Sequence, residues 1–335
     1  MEEDLGDYDA SEDTTALYGQ VELLLGDNLT FLGGARWERT EFDYRANELV
    51  FDDDGDIVAV NPTSGSSEND EILPSAHLRW ALDEETNVRF AFTRSLARPN
   101  YEDLAPFSLI LEEDGEIQRG NPNLDITTAW NYDIMWERYL STVGIVSAGV
   151  FYKQIEDNIF FFTAEEDRNG DTFDVIQPRN GDSAEVIGLE VAYQNRFRNL
   201  PAPWDGLGLY FNATFIDSEA AIPERDDTLF PGQADTVYNL SLSYEKYGFS
   251  GRVSLNYHSE YLSEVGGDEA SDIFIDERTQ LDLSFSQQVT SKVRLYLDVL
   301  NLTDEPFRVY EGSEDRPIQE EYYSWWGTFG VKIDL

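Results

Sequence analysis

Apolar and polar residues alternate with a period of two along most of the chain. In 238–245, Tyr238, Leu240, Leu242 and Tyr244 share one face; Asn239, Ser241, Ser243 and Glu245 share the other. Val253, Leu255 and Tyr257 oppose Arg252, Ser254, Asn256 and His258, and Leu281, Leu283 and Phe285 oppose Asp282, Ser284 and Ser286. Val88/Phe90/Phe92, Leu207/Leu209/Phe211/Phe215 and Trp325/Phe329/Val331/Ile333/Leu335 repeat the pattern. Successive strand side chains point to opposite faces, so each segment has one greasy side and one wet side. Helical periodicity is scarce. About thirteen such segments can be counted, each near the roughly ten residues that cross a bilayer as a tilted strand.

The connections sharpen this picture. Short ones at 26–28, 83–86, 140–143, 196–206, 246–248 and 290–291 alternate with long ones near 46–70, 96–125, 157–183, 217–235, 262–279 and 303–320. A soluble sandwich has no reason to gather its long loops at one end, whereas a membrane barrel has short periplasmic turns and long extracellular loops. The pattern predicts an all-β, antiparallel transmembrane β-barrel occupying 1–335 as a single domain, with 1–13 an acidic loop remnant. The first strand, about 17–25, runs toward the short-turn side, and so does the last. An odd count of thirteen with both ends down leaves two strand edges in lipid, which is costly. It therefore reads as the last part of a larger, even-stranded barrel.

Composition adds limits. No stretch approaches the ~18 uninterrupted apolar residues of a membrane helix. The net charge is −44, from 67 acidic and 23 basic residues, so nucleic acid would be repelled. Acidic runs fall in the long connections: Asp52-Asp53-Asp54, Glu112-Glu113-Asp114, Glu165-Glu166-Asp167, 224–227, Asp268-Glu269 and Glu320-Glu321. They read either as a wet surface or as a cation-attracting outer face. Trp37, Trp80, Trp130, Trp136, Tyr322, Tyr323, Trp325 and Trp326 lie near strand ends, as interfacial girdles would. Cysteine is absent, which excludes thiol redox, Cys–zinc sites and disulfides. The start, Met1-Glu2-Glu3-Asp4-Leu5, has no basic or apolar leader region, so the expectation is a fragment of a longer reading frame.

Several local motifs resemble the TonB-dependent receptor family. Gly33-Gly34-Ala35-Arg36-Trp37-Glu38-Arg39-Thr40 is similar to its G-x-R-Y-E-x-T strand, after the Ala16-Leu17-Tyr18-Gly19-Gln20 strand. Arg94-Ser95-Leu96-Ala97-Arg98-Pro99-Asn100-Tyr101-Glu102-Asp103-Leu104 resembles S-x-A-R-P-x-Y-x-x-L. Gly120-Asn121-Pro122-Asn123-Leu124 with Ala129-Trp130-Asn131-Tyr132-Asp133 resembles G-N-P-x-L…A-x-N-Y-D, and Val299-Leu300-Asn301-Leu302-Thr303-Asp304 resembles N-L-T-D. The ordered set covers nearly the whole chain. It implies a twenty-two-strand barrel of which this chain supplies roughly the tenth strand onward, without plug, TonB box or signal peptide. The family's aromatic last residue is replaced by Leu335, which weakens the implied signal to the barrel-assembly machinery.

The resemblance further implies energised uptake of a bulky ligand, an oligosaccharide or an iron chelate, across the outer membrane of a Gram-negative bacterium, with a lean toward carbohydrate. Its implied partners are outer-membrane lipid and lipopolysaccharide, the ligand, and the TonB complex acting through a plug. A passive porin or adhesive barrel, and a secreted acidic β-protein binding carbohydrate, remain alternatives. No enzyme constellation emerges: His77 and His258 are far apart and lack a nucleophile motif. Neither a cofactor nor a metal site is expected. The segment Glu165-Glu166-Asp167-Arg168-Asn169-Gly170-Asp171 vaguely resembles a calcium loop, but Ile176 stands where the closing bidentate Glu belongs; it reads as an acidic hairpin. The candidate ligand-binding residues are Arg94, Arg98, Asn100, Tyr101 and Asn121, at the opening of a long outward loop. Against that stands a structural role, with Arg94 and Arg98 pairing with lumen carboxylates and Pro99 ending the strand.

Overall fold

The computed structural model describes residues 8–51, 57–111, 115–140, 143–168, 170–222 and 225–334. Thirteen long strands form the wall. They are β1 (Asp9–Leu25), β2 (Leu29–Phe51), β3 (Ile57–Ala81), β4 (Thr86–Ala97), β5 (Thr127–Leu140), β6 (Gly144–Glu156) and β7 (Ser183–Arg196). The series continues with β8 (Leu207–Ile222), β9 (Thr236–Lys246), β10 (Phe249–His258), β11 (Arg278–Gln288), β12 (Val293–Leu300) and β13 (Trp326–Ile333). Each pairs antiparallel with the next. The barrel is not closed: among the described residues, β1 pairs along its length only with β2, and β13 only with β12.

The register explains the alternation. Leu23, Phe31, Leu78, Phe90, Ile134, Val150, Leu189 and Phe215 lie opposite one another across eight consecutive strands. One residue along, Glu22, Leu32, His77, Ala91, Asp133 and Phe151 line the other face. A continuous apolar row over so many strands is the lipid face of a barrel, and the mixed row behind it is the lumen. Trp80 and Trp136 flank Val88 in one lipid-facing row near the short turns, and Trp37 stands opposite Ile72 higher up. Phe92 stacks on Trp130 at 5.1 Å, also on the lipid side.

The short-turn side is as expected. Its tightest connection is the two-residue hairpin Tyr247-Gly248, where φ is 56° and 75°. Two left-handed residues in succession match the twist of the flanking strands, and glycine supplies one without steric cost.

The long-turn side departs from expectation, because most of it is strand. β2 and β3 continue as one hairpin to Phe51↔Ile57, through the 46–70 region expected as loop. β1 likewise begins at Asp9, so 9–13 is strand and not loop remnant. Residues 1–7, Asp52 to Asp54, Glu112 to Asp114, Asn169, Glu224 and Leu335 lie outside the described residues. Beyond the wall, Ser108–Leu111 pairs in parallel with 48–51 of β2, and antiparallel with Glu116–Arg119. That segment pairs in parallel with Asp171–Asn180, which forms a hairpin with Ile159–Arg168. A bridge from Phe162 to Val265 leads on to a separate four-stranded sheet of Tyr261–Glu264, Ile273–Ile275, Phe307–Glu311 and Pro317–Glu321.

The three clusters of buried apolar side chains all lie at the long-connection end, within this outer layer or between it and the wall. They are Phe42, Tyr44, Leu104 and Leu124; Ile110, Ile117, Phe173 and Val175; and Phe160, Phe162, Ile222, Leu262 and Val265. Where the wall takes part, through Phe42 and Tyr44 of β2 and Ile222 of β8, it does so at its long-connection end, where other segments lie over its inner face.

Candidate functional site

The segment 98–124 leaves β4 and turns inward. Along β2, the lumen-facing side chains Glu38, Thr40, Phe42, Tyr44 and Ala46 are all buried. They alternate without a register slip from the lipid-facing Phe31 and Trp37 upward. Leu104 and Leu124 cover Phe42 and Tyr44. Pro122 lies over Gly65 on β3, and Thr63 donates a hydrogen bond to the Pro106 carbonyl. The segment is thus a shelf lying on the inner face of β2 and β3. A helical turn, Tyr101–Leu104, forms its corner, with Leu104 against the wall and Tyr101 and Glu102 exposed.

Arg98 pins this corner. Its guanidinium pairs with Glu38, which also accepts Arg36 at 2.5 Å, and donates to Thr40 Oγ1 at 3.3 Å. On β1, Glu12 lies 3.7 Å from Arg98 Nε and accepts the Tyr101 hydroxyl at 2.8 Å. That bond, with the negative charge of Glu12, pushes the Tyr101 phenol above its ordinary value. A carboxylate as buried as Glu38 is held ionised by paired guanidinium groups.

Arg94 has a different task. β3 and β4 are paired only up to Ser75↔Thr93, while β4 stays with β5 to Ala97↔Thr127. The Arg94 side chain fills the resulting cleft, donating to Glu71 at 2.5 Å and to the Ile72 carbonyl at 3.2 Å. Its guanidinium also sits 5.7 Å above the Trp130 ring. Asn121 joins loops: its Nδ2 donates to the Pro178 carbonyl at 3.1 Å, and its Oδ1 accepts the Asn123 amide at 3.1 Å. Asn100 donates to Asp103 at 2.9 Å and is otherwise exposed.

The structure therefore gathers Arg98, Asn100, Tyr101 and Asn121 on one shelf and leaves Arg94 in the cleft beside it. The pairing of Arg94 and Arg98 with carboxylates and the strand end before Pro99 match the structural role. Only Asn100 and Tyr101 present exposed side chains. Exposed Glu102 and Asn123, on the same corner, carried no motif signal beyond their neighbours. Elsewhere, Glu165 to Arg168 form a hairpin strand, with Glu166 paired to Arg119 at 3.1 Å, as the hairpin reading expects. His77 lies on the lumen face, and His258 Nδ1 lies 3.0 Å from the Ser259 carbonyl, an ordinary hydrogen bond. An apolar concavity lined by Phe90, Ile134, Val150, Leu189 and Phe215 opens on the lipid-facing row.

Opposed greasy and wet faces, an open antiparallel wall and long connections gathered on one side define a part of a transmembrane β-barrel. Over residues 4–302 the chain matches the family described as TonB dependent receptor-like, beta-barrel, and it belongs to that family. This is an outer-membrane family of Gram-negative bacteria. In structure the chain is similar to the ferric-catecholate import receptor Fiu of E. coli K12, with TM-score 0.69 and 14% identity, over 97% of this chain and 45% of that one. It is also similar to the ferric yersiniabactin uptake receptor FyuA of Yersinia pestis, with TM-score 0.66 and 17% identity, over 97% and 46%. The copper transporter OprC matches with TM-score 0.69 and 14% identity, over 97% and 48%. The chain thus spans a little under half the length of these structures. No curated protein matches it in sequence.

Proposed function

We propose that the chain forms the wall and outer vestibule of a TonB-dependent receptor that takes up a bulky, scarce ligand, an oligosaccharide or an iron chelate. The observation that carries this reading is the outer layer. All three apolar clusters, and a strand ladder running from β2 to 180, are gathered at the long-connection side of the wall. A passive pore needs little beyond a lumen, whereas a receptor needs rigid loops to hold a ligand before passing it on. The relatives include receptors for iron chelates and a copper transporter. Energy coupling would come through a plug acting with the TonB complex, and insertion through the barrel-assembly machinery.

Charge narrows the ligand. The net charge is −44, and the shelf's Arg98 and the outer Arg119, Arg168, Arg225 and Arg308 are each paired with carboxylates. Such a mouth repels polyanions and admits neutral oligosaccharides or chelates with little negative charge.

Deletion of the gene in its own host tests the reading. Growth on scarce oligosaccharide or on iron chelate should fail and recover when that nutrient is abundant. The same defect should follow when the membrane is de-energised. Unaltered growth on both nutrient classes, scarce or abundant, would refute it.

A further inference from the structure

We infer that residues 98–111 and 115–124 form a fixed inward shelf that narrows the mouth on the β1–β3 side, and that Arg98 is the residue positioning it. The inference rests on the inside–outside polarity of the wall and is independent of the ligand class proposed above.

Four observations converge. The lumen face of β2 from Glu38 to Ala46 is buried, which a single layer of sheet does not achieve unless another segment covers it. The shelf meets three strands: β1 at Glu12, β2 at Glu38 and Thr40, and β3 at Thr63 and Gly65. Its middle, 108–111 and 116–118, is tied to β2 and to 174–176 by strand pairing, so it cannot swing as one arm without breaking both ladders. At its inner corner the polar contacts with the wall converge on one cation, since Arg98 joins Glu38, Thr40 and Glu12, and Tyr101 adds to Glu12. A solute entering on this side therefore meets Asn100, Tyr101, Glu102 and Asn123 in place of the strand wall, and wider solutes are displaced toward β4–β13. Constriction follows from covalent connectivity and packing and requires no moving part.

Residues 1–335 contain no cysteine, so within them introduced thiols are unique reporters. In the host's outer membrane, Ala46→Cys, beneath the shelf, and Asn123→Cys, on its exposed rim, are treated on intact cells with a membrane-impermeant maleimide. Cys at 46 should label on the order of tenfold more slowly than Cys at 123, the protection expected of a site reached only by local opening. Adding Arg98→Ala should speed labelling at 46 severalfold and leave 123 unchanged, and Arg98→Lys should restore part of the protection. Only barrel that migrates as folded, heat-modifiable protein is scored, so a variant that fails to insert does not count as exposure. A second reading uses Gly65→Cys with Pro122→Cys, whose β-carbons are close enough to form a disulfide after a small shift. That bond should form without added oxidant in an otherwise wild-type chain, and less completely with Arg98→Ala. Equal labelling at 46 and 123, or absence of the 65–122 disulfide, would overturn the shelf. Labelling at 46 that is indifferent to Arg98→Ala would overturn the role of Arg98.

Discussion

Gly65 on β3 and Pro122 on the shelf lie face to face, so that a β-carbon added to Gly65 would come within 2.8 Å of the Pro122 Cβ. The wall thus omits a side chain where the shelf presses on it. Gly65→Val should lift the shelf at a cost of about 1–3 kcal/mol, the range for overpacking a close contact. Limited chymotrypsin cleavage at Tyr101 on intact cells is the measure. Faster cleavage than in wild type is expected, and an unchanged rate would show that the contact is dispensable.

The lipid-facing row invites a paired substitution. Ile134 lies between Phe90 and Val150 in that row, while its neighbour Asp133 faces the lumen. Ile134→Arg should cost about 2–4 kcal/mol at the bilayer midplane, whereas Asp133→Arg should be tolerated. The amount of heat-modifiable protein in the outer membrane reads the difference. Equal yields would reverse the assignment of faces.

Arg225 and Asp272 form a two-pronged pair, with Nη–Oδ distances of 2.6 and 2.8 Å, and both side chains are largely buried. The nearby carboxylate holds the Arg225 guanidinium above its ordinary value. Arg225→Ala leaves Asp272 buried without its cation, a loss of about 3–5 kcal/mol. Hydrogen exchange in 259–277 should accelerate while exchange in β9 and β10 does not.

Asp157 sits just above β6 with φ 56°. Burial pushes its carboxyl up, and Asp125, Glu156 and Asp182 push it further. Because the folded-state value exceeds that of the unfolded chain, the ionised group costs stability at neutral pH. The cost fades as pH falls through the raised value. Asparagine tolerates the left-handed backbone, so Asp157→Asn should slow exchange in 157–182 at pH 7.5. The gap from wild type should close near pH 4. A gap that widens on acidification would reverse the sign.

Expressed alone, the 335-residue chain should not yield a closed monomer, because among the described residues β1 and β13 each offer an unpaired edge. Monodisperse, heat-modifiable monomers in detergent would contradict this.

The wall was legible in the sequence because its period-two signal is local: each strand announces its own two faces. The thirteen strands and the alternation of their connections followed from that signal. The outer layer was not legible. Residues 46–70 contain Asn61-Pro62 and a Ser/Gly run at 64–67, which are depleted in strands. They are strand because β2 holds them in register. Ser108–Leu111 and Glu116–Arg119 are four residues each, too short to show a period, and are fixed by 48–51 and 174–176 far along the chain. At the site, a carboxylate partner for Arg98 could be expected. That it is Glu38, sixty residues earlier, depends on the inward fold of the shelf.

The ladder from β2 through 108–111, 116–119 and 171–180 bears on how such receptors diversify. Replacing 98–126 alone would strand the edges of 48–51 and 174–176 and expose the apolar Phe173 and Val175. The graftable unit is therefore a composite: the tip of β2–β3, 98–126 and 157–182 must travel together. In recombination as in design, this face of the molecule is inherited as one cassette and cannot be assembled loop by loop.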